Sequence, residues 1–166
     1  MIRVDLEQFV DRAIFGPLNT RSSRDEIVKI LGEPETYPGI VQYGHVAFDL
    51  ASGIGPPCRI QIAFPHPSHM RPANPGWENW RAPTYFDNWP YQKFEWELGR
   101  LIPGLNIDDA IIEFTEFEEI EMISACNGLR MLHNPNSRVE LCFENDKNAG
   151  QPTMTSIIAH PEPVAA

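Results

Sequence analysis

The sequence predicts an α+β fold: two tandem helix-helix-strand-strand-strand units forming a curved antiparallel sheet with helices on one face. Three observations predict it. A helix start, a helix stop and a strand follow one another without interruption from Ser22 to Asp49. The same order of apolar patterns returns between Phe94 and His160, and a Pro- and Trp-rich stretch separates the two. The units are drawn at 1–65 and 93–166 with a connector at 66–92, and 166 residues suffice for one compact domain with a single core.

In the first unit, residues 5–15 (DLEQFVDRAIF) place Leu6, Phe9, Val10, Ala13 and Ile14 at helical spacing, with Asp5 as a cap. Gly16-Pro17-Leu18-Asn19 breaks that helix. Ser23 stands three residues before Glu26, the capping-box spacing, and Ile27, Ile30 and Leu31 supply one apolar face. Gly32 and Pro34 are the stop. After a turn at Tyr37-Pro38-Gly39, residues 41–50 read as one strand whose alternation is imperfect around Gly44. A Gly/Pro turn from Ser52 to Pro57 leads into a second strand, Arg59 to Phe64, and the pair makes a hairpin.

The second unit opens with Phe94, Trp96 and Leu98, which echo Phe9 to Phe15 as a first helix, and with a turn at Ile102-Pro103-Gly104-Leu105-Asn106. A helix follows from Ile107 to Phe117, capped by Asn106 with Asp109 and apolar along Ile107, Ala110, Ile111 and Phe114. Strands are expected at Glu118 to Ala125, Gly128 to His133, Arg138 to Glu144 and Met154 to Ala159.

Composition narrows the function. A net charge of −10 argues against affinity for nucleic acid or an anionic membrane and favours basic partners. The start MIRVDLEQFVDR reads as no signal peptide, and no apolar run is long enough to span a membrane. Cys58, Cys126 and Cys142 are odd in number and flanked by apolar residues, so reduced, buried thiols of a cytoplasmic protein are expected, and neither a disulfide framework nor a zinc site. No phosphate loop or nucleophile elbow occurs, His66 and His69 have no carboxylate or cysteine nearby in sequence, and no cofactor or metal is expected.

Two stretches stand out as partner-binding. Between Leu101 and Leu129 lie Asp108, Asp109, Glu113, Glu116, Glu118, Glu119 and Glu121 with no Lys or Arg, and on a helix Asp109, Glu113 and Glu116 share a stripe. Such unrelieved like charge is either a solvated face or one that a basic ligand neutralises. The connector carries Trp77, Trp80, Tyr85 and Trp89 among Asp87 and other polar residues; these aromatics either anchor an interface or fold back as a minor core.

The segments SRDEIVKILGEPE, YGHVAFDL and RIQIAF resemble those of bacterial immunity proteins, which neutralise polymorphic toxins. The doubled order is also similar to the fold of beta-lactamase inhibitor protein, whose single-unit relative occurs in BamE-type lipoproteins. The lipobox and disulfides of those proteins are not seen here, so their periplasmic roles do not carry over. The resemblance implies a non-enzymatic cytoplasmic inhibitor that occludes the active site of a cognate protein toxin, a basic nuclease being one such partner. The alternatives are a small hydrolase using carboxylates on the concave face, and an adaptor or structural subunit; the oligomeric state is left open.

Overall fold

A computed structural model describes residues 1–50, 58–64, 94–102, 104–121, 129–145 and 151–162. Strand β1 (Ile2–Asp5) leads into helix α1 (Leu6–Arg12), which Asp5 caps by accepting the Gln8 N–H at 3.0 Å. Leu6, Phe9 and Val10 are buried, as their spacing requires. The helix is shorter than expected: Ala13 closes it in a left-handed cap at φ 55°, and the next residues form β2 (Ile14–Phe15). This pairs with β3 (Leu18–Asn19) across Gly16-Pro17. Gly16 has φ +57°, and a Cβ there would meet Ile2 Cγ2 at 2.8 Å and the Arg3 carbonyl oxygen at 3.1 Å, so a larger residue would be both strained and crowded.

Helix α2 (Arg24–Leu31) starts at the expected capping box, with Ser23 Oγ accepting the Glu26 N–H at 3.3 Å and the Glu26 carboxylate accepting the Ser23 N–H at 2.8 Å. Ile27 and Leu31 are buried, whereas Ile30 is 40% exposed and lies off the apolar face. Gly32 ends the helix, and its carbonyl accepts the Tyr43 hydroxyl at 2.6 Å. Strands β4 (Glu35–Tyr37), β5 (Ile40–Tyr43) and β6 (Val46–Leu50) follow. The single strand expected at 41–50 is thus two. Gly44, at φ 60°, and His45 form a two-residue turn that sets Tyr43 opposite Val46, so the flaw in alternation was the turn itself. The next strand, β7 (Cys58–Ala63), pairs with β6 as the expected hairpin.

The second half departs at its start. Phe94, Trp96 and Leu98 do not begin a helix; β8 (Phe94–Glu97) pairs in parallel with β1, from Ile2 opposite Phe94 to Asp5 opposite Glu97. Phe94 and Trp96 are half-buried while Glu95 and Glu97 are exposed, a period of two that a strand needs and a helix does not. Helix α3 (Ile107–Glu113) starts at Asn106 as expected but ends at Phe114. Four strands follow: β9 (Glu118–Glu121), β10 (Arg130–Asn134), β11 (Val139–Asn145) and β12 (Pro152–Ala159).

The fold is therefore α+β around a mostly antiparallel sheet, ordered β4-β5-β6-β7-β12-β11-β10-β9. Among the described residues each half contributes a four-strand meander; the tandem reading had three strands per unit, although four were placed in the second half, and that half holds one helix where two were expected. One sheet face is apolar without interruption. Val41 faces Phe48, Phe48 faces Ile60, Ile60 faces Ala159 and Ala159 faces Val139, all buried. Helix α1 packs on β11 and β12 and is fastened by Ser137 Oγ donating to the Val10 carbonyl at 2.7 Å. Phe15 meets Phe9, Phe48, Phe94 and Trp96 edge-on, with ring centroids 5.3 to 6.0 Å apart, and so joins helix, sheet and β8.

Cys58 and Cys142 are buried free thiols. Burial, with the nearby Asp49 carboxylate, pushes the Cys58 thiol up to about 12, and burial raises that of Cys142, so both pack as small apolar groups. No helix among the described residues is long and apolar enough to cross a membrane.

Because the Ser23 cap satisfies an otherwise orphaned donor, Ser23→Ala should lower the unfolding free energy by about 1 kcal/mol and Ser23→Gly by only a few tenths. Urea denaturation checks both; equal losses for the two variants would show that the hydroxyl is not the stabilising group.

Candidate partner-binding surface

Helix α3 is held by its ends. Asn106 Oδ1 accepts the Asp109 N–H at 2.9 Å, and Asn106 Nδ2 donates to the Asp109 carboxylate at 2.6 Å, closing the first turn from both sides. Ile107, Ala110 and Phe114 are buried, which turns Asp108, Asp109, Ile111, Ile112 and Glu113 outward. Asp109 and Glu113 therefore lie on the exposed side, with Asp109 also serving the cap, while Glu116 is exposed in the turn beyond the helix. Trp77, Trp80, Tyr85, Asp87 and Trp89 lie outside the described residues, as do the rest of the connector, the turn at 51–57, residues 122–128 and Cys126.

The acidic run is not unrelieved. Arginines just outside it close on each end, Arg100 before it and Arg130 after it. Arg130 Nε donates to Glu119 at 2.9 Å. Arg100 does more: its backbone N–H and Nε both donate to Glu7 Oε1, at 2.8 and 3.0 Å, while Nη1 donates to the Glu113 carbonyl at 2.7 Å and lies 3.8 Å from the Glu113 carboxylate. The guanidinium also sits over the Phe114 ring, 4.4 Å from its centroid. One arginine thus ties α1, the turn after β8 and the last turn of α3. It supplies positive charge where a helix C-terminus favours it.

Glu7 was not among the residues singled out from sequence. Its position in the first turn of a helix gave a reason to be acidic, but not its partner 93 positions away. Bonding to the Arg100 side chain, then to its backbone N–H, holds the Glu7 carboxyl below the usual carboxylate range; the same side-chain bond raises Arg100. Gly99 makes room for the pair, since a Cβ there would fall 2.3 Å from Glu7 Oε1. Beside it opens a cleft of about 360 Å³ lined by Glu7, Val10, Arg12, Arg100, Phe114 and Glu116.

Apolar side chains are exposed on the same elements: Ile112 is 73% exposed, Ile111 38% and Ile120 39%. Asp108, Asp109, Glu113, Glu116, Glu118 and Glu119 are all at the surface, with the Glu119 side chain 32% exposed beside Arg130. Elsewhere, Glu140 lies between two histidines, with Oε2 2.6 Å from His160 Nε2 and Oε1 3.7 Å from His133 Nδ1. Among the described residues no group of three or more His, Cys, Asp or Glu is placed to hold a metal ion. Comparison with family models, curated proteins and solved structures finds no match to this chain.

The Glu7–Arg100 bond should make stability acid-sensitive. A depressed carboxylate contributes stability that is full above its unfolded value, near 4.3, and is lost as pH falls through the lower folded value. Wild type should exceed Glu7→Gln in unfolding free energy at pH 6, with the gap closing below about pH 4. Denaturant titrations at a series of pH values measure it; a gap that does not change with pH would show that charge plays no part.

Proposed function

We propose that this protein is a non-enzymatic, cytoplasmic immunity protein that binds a cognate bacterial protein toxin and occludes its active site. The observation that carries the proposal is the outward side of α3, where the exposed Ile111 and Ile112 stand between the carboxylates Asp108, Asp109 and Glu113. An apolar pair ringed by one sign of charge suits a basic partner: the charges steer encounter, and the isoleucines supply contact that excludes water. A nuclease, whose substrate cleft is basic to hold phosphates, has that chemistry. Glu116 and the cleft beside Arg100 extend the surface, and Trp77, Trp80, Tyr85, Asp87 and Trp89 of the connector are read as further contact area.

Surface exposure of Asp108, Asp109, Glu113, Glu116, Glu118 and Glu119 favours binding over hydrolysis on this face, because a carboxyl working as a general acid is ordinarily raised in pKa by burial. The tandem reading of the fold belongs to the same proposal. It is supported by the mirrored strand order, by caps at Ser23 and Asn106, and by positive φ at both Gly16 and Gly104. A matching backbone bond also occurs in each half. The Thr20 carbonyl accepts the Cys58 N–H at the start of β7, and the Leu105 carbonyl accepts the Met154 N–H near the start of β12, both at 2.8 Å.

The test is co-expression with the product of the neighbouring upstream gene. Protection of the cells and a stoichiometric complex are expected, with an on-rate that falls about tenfold or more from low to physiological salt. Asp109→Asn/Glu113→Gln/Glu116→Gln should slow association severalfold and leave dissociation little changed. A neighbour that is neither toxic nor bound would sink the immunity reading; a salt-independent on-rate would remove its electrostatic part.

A further inference from the structure

A second cleft, of about 330 Å³, lies between the C-terminal end of α1, the β2–β3 hairpin and the β10–β11 turn, and it shares Asp11 and Arg12 with the first. In a protein of net charge −10, Arg12, Arg21 and Arg138 converge here. The two carboxylates that also line it are already engaged: Asp11 pairs with Arg12 at 3.0 Å, and Glu162 pairs with Arg21. Arg138 has no carboxylate partner among the described residues. Its Nη1 donates to the Pro161 carbonyl at 3.2 Å, which uses one of the five N–H donors of a guanidinium.

The backbone singles out the same place. Among the described residues two that are not glycine have positive φ, Ala13 at 55° and Arg138 at 60°, and both line this cleft. That conformation is costly for a residue with a Cβ, and here the surroundings enforce it. Asn134 Oδ1 accepts the Asn136 and Ser137 N–H groups, the Asn134 carbonyl accepts the Arg138 N–H at 2.8 Å, and the Arg138 carbonyl accepts the His160 N–H at 3.0 Å. A turn of this shape is met without strain by glycine. What arginine adds is the guanidinium.

We propose that this cleft binds a small phosphorylated molecule through its phosphate group, with Arg138 as the principal ligand and Arg12 and Arg21 as flanking charge. A planar fork receives a phosphate through two parallel N–H bonds, and the volume is that of a small-molecule site. The two surface arginines can exchange an exposed carboxylate for the ligand at little cost, since exposed ion pairs are weak. The proposal does not rest on the toxin-binding reading.

The experiment titrates the full chain with inorganic phosphate at constant ionic strength, followed by NMR shifts of the Arg138 and Ser137 amides. Saturation with Kd on the order of 1 mM is expected. Arg138→Gly should fold with an unchanged or raised Tm, because it removes the left-handed strain, and should lose about tenfold or more in affinity. Arg12→Ala/Arg21→Ala should keep its Tm and bind severalfold more weakly. Phosphate raises Tm generally by exclusion from protein surfaces, so the difference between wild type and variant is what counts. Non-saturating shifts, or equal binding by wild type and Arg138→Gly, would overturn the site; succinate binding as tightly as phosphate would overturn its assignment to phosphate.

Discussion

The antiparallel seam between β7 and β12 is the contact on which the remaining structure depends. It sets Ile62 opposite Ile157 and Ile60 opposite Ala159, and every other strand of the large sheet reaches its counterpart in the opposite half only through it. Ile62 also faces Val46 within the first meander, and Ile157 faces Leu141 within the second, so the apolar face is continuous across the seam. Bringing together residues nearly a hundred positions apart costs loop-closure entropy, which burial on the helix-covered face must exceed. The parallel pairing of β1 with β8 and the Glu7–Arg100 bond are two further long-range ties, and both act near the start of the chain's first helix.

What could be read from the sequence follows the range of each interaction. The Ser23 capping box, the Gly32 stop, the Asn106 cap and the β6–β7 hairpin depend on residues close in the chain, and their signals are local. The hairpin at Gly44-His45 was written in a broken alternation and read instead as an irregular strand. Phe94, Trp96 and Leu98 carry a strand period, yet the analogy with the first unit suggested a helix. What makes them a strand is pairing with Ile2 to Asp5 some ninety residues upstream, which no local pattern reports. The carboxylate side of α3 was legible because Ile107, Ala110 and Phe114 fix the buried side, but Ile111, expected on that apolar side, is exposed; that Arg100 neutralises the helix's end was not legible, since its ligands come from α1 and α3 together.

Charge is sorted over the surface in a way the net value of −10 conceals. Carboxylates crowd α3 and β9, with arginine only at the borders, while the cleft at the other side of the Asp11–Arg12 ridge gathers arginines whose nearest carboxylates are already paired. The docking surface proposed for a basic partner lies on the acidic side, and the pocket proposed for a phosphate on the arginine-lined side. The arginine-lined cleft is built on the C-terminal end of α1, which Ser137 fastens to the sheet, while Arg100 joins the start of α1 to the last turn of α3.

Native-state hydrogen exchange tests most directly whether the seam makes one cooperative unit of the two meanders. Seam amides, that of Phe64 bonded to the Thr155 carbonyl among them, should exchange only by global unfolding, and buried amides of β6 and β11 should share the same free energy and denaturant dependence. Exchange of one meander through a separate, lower-energy opening while the other stays protected would contradict it.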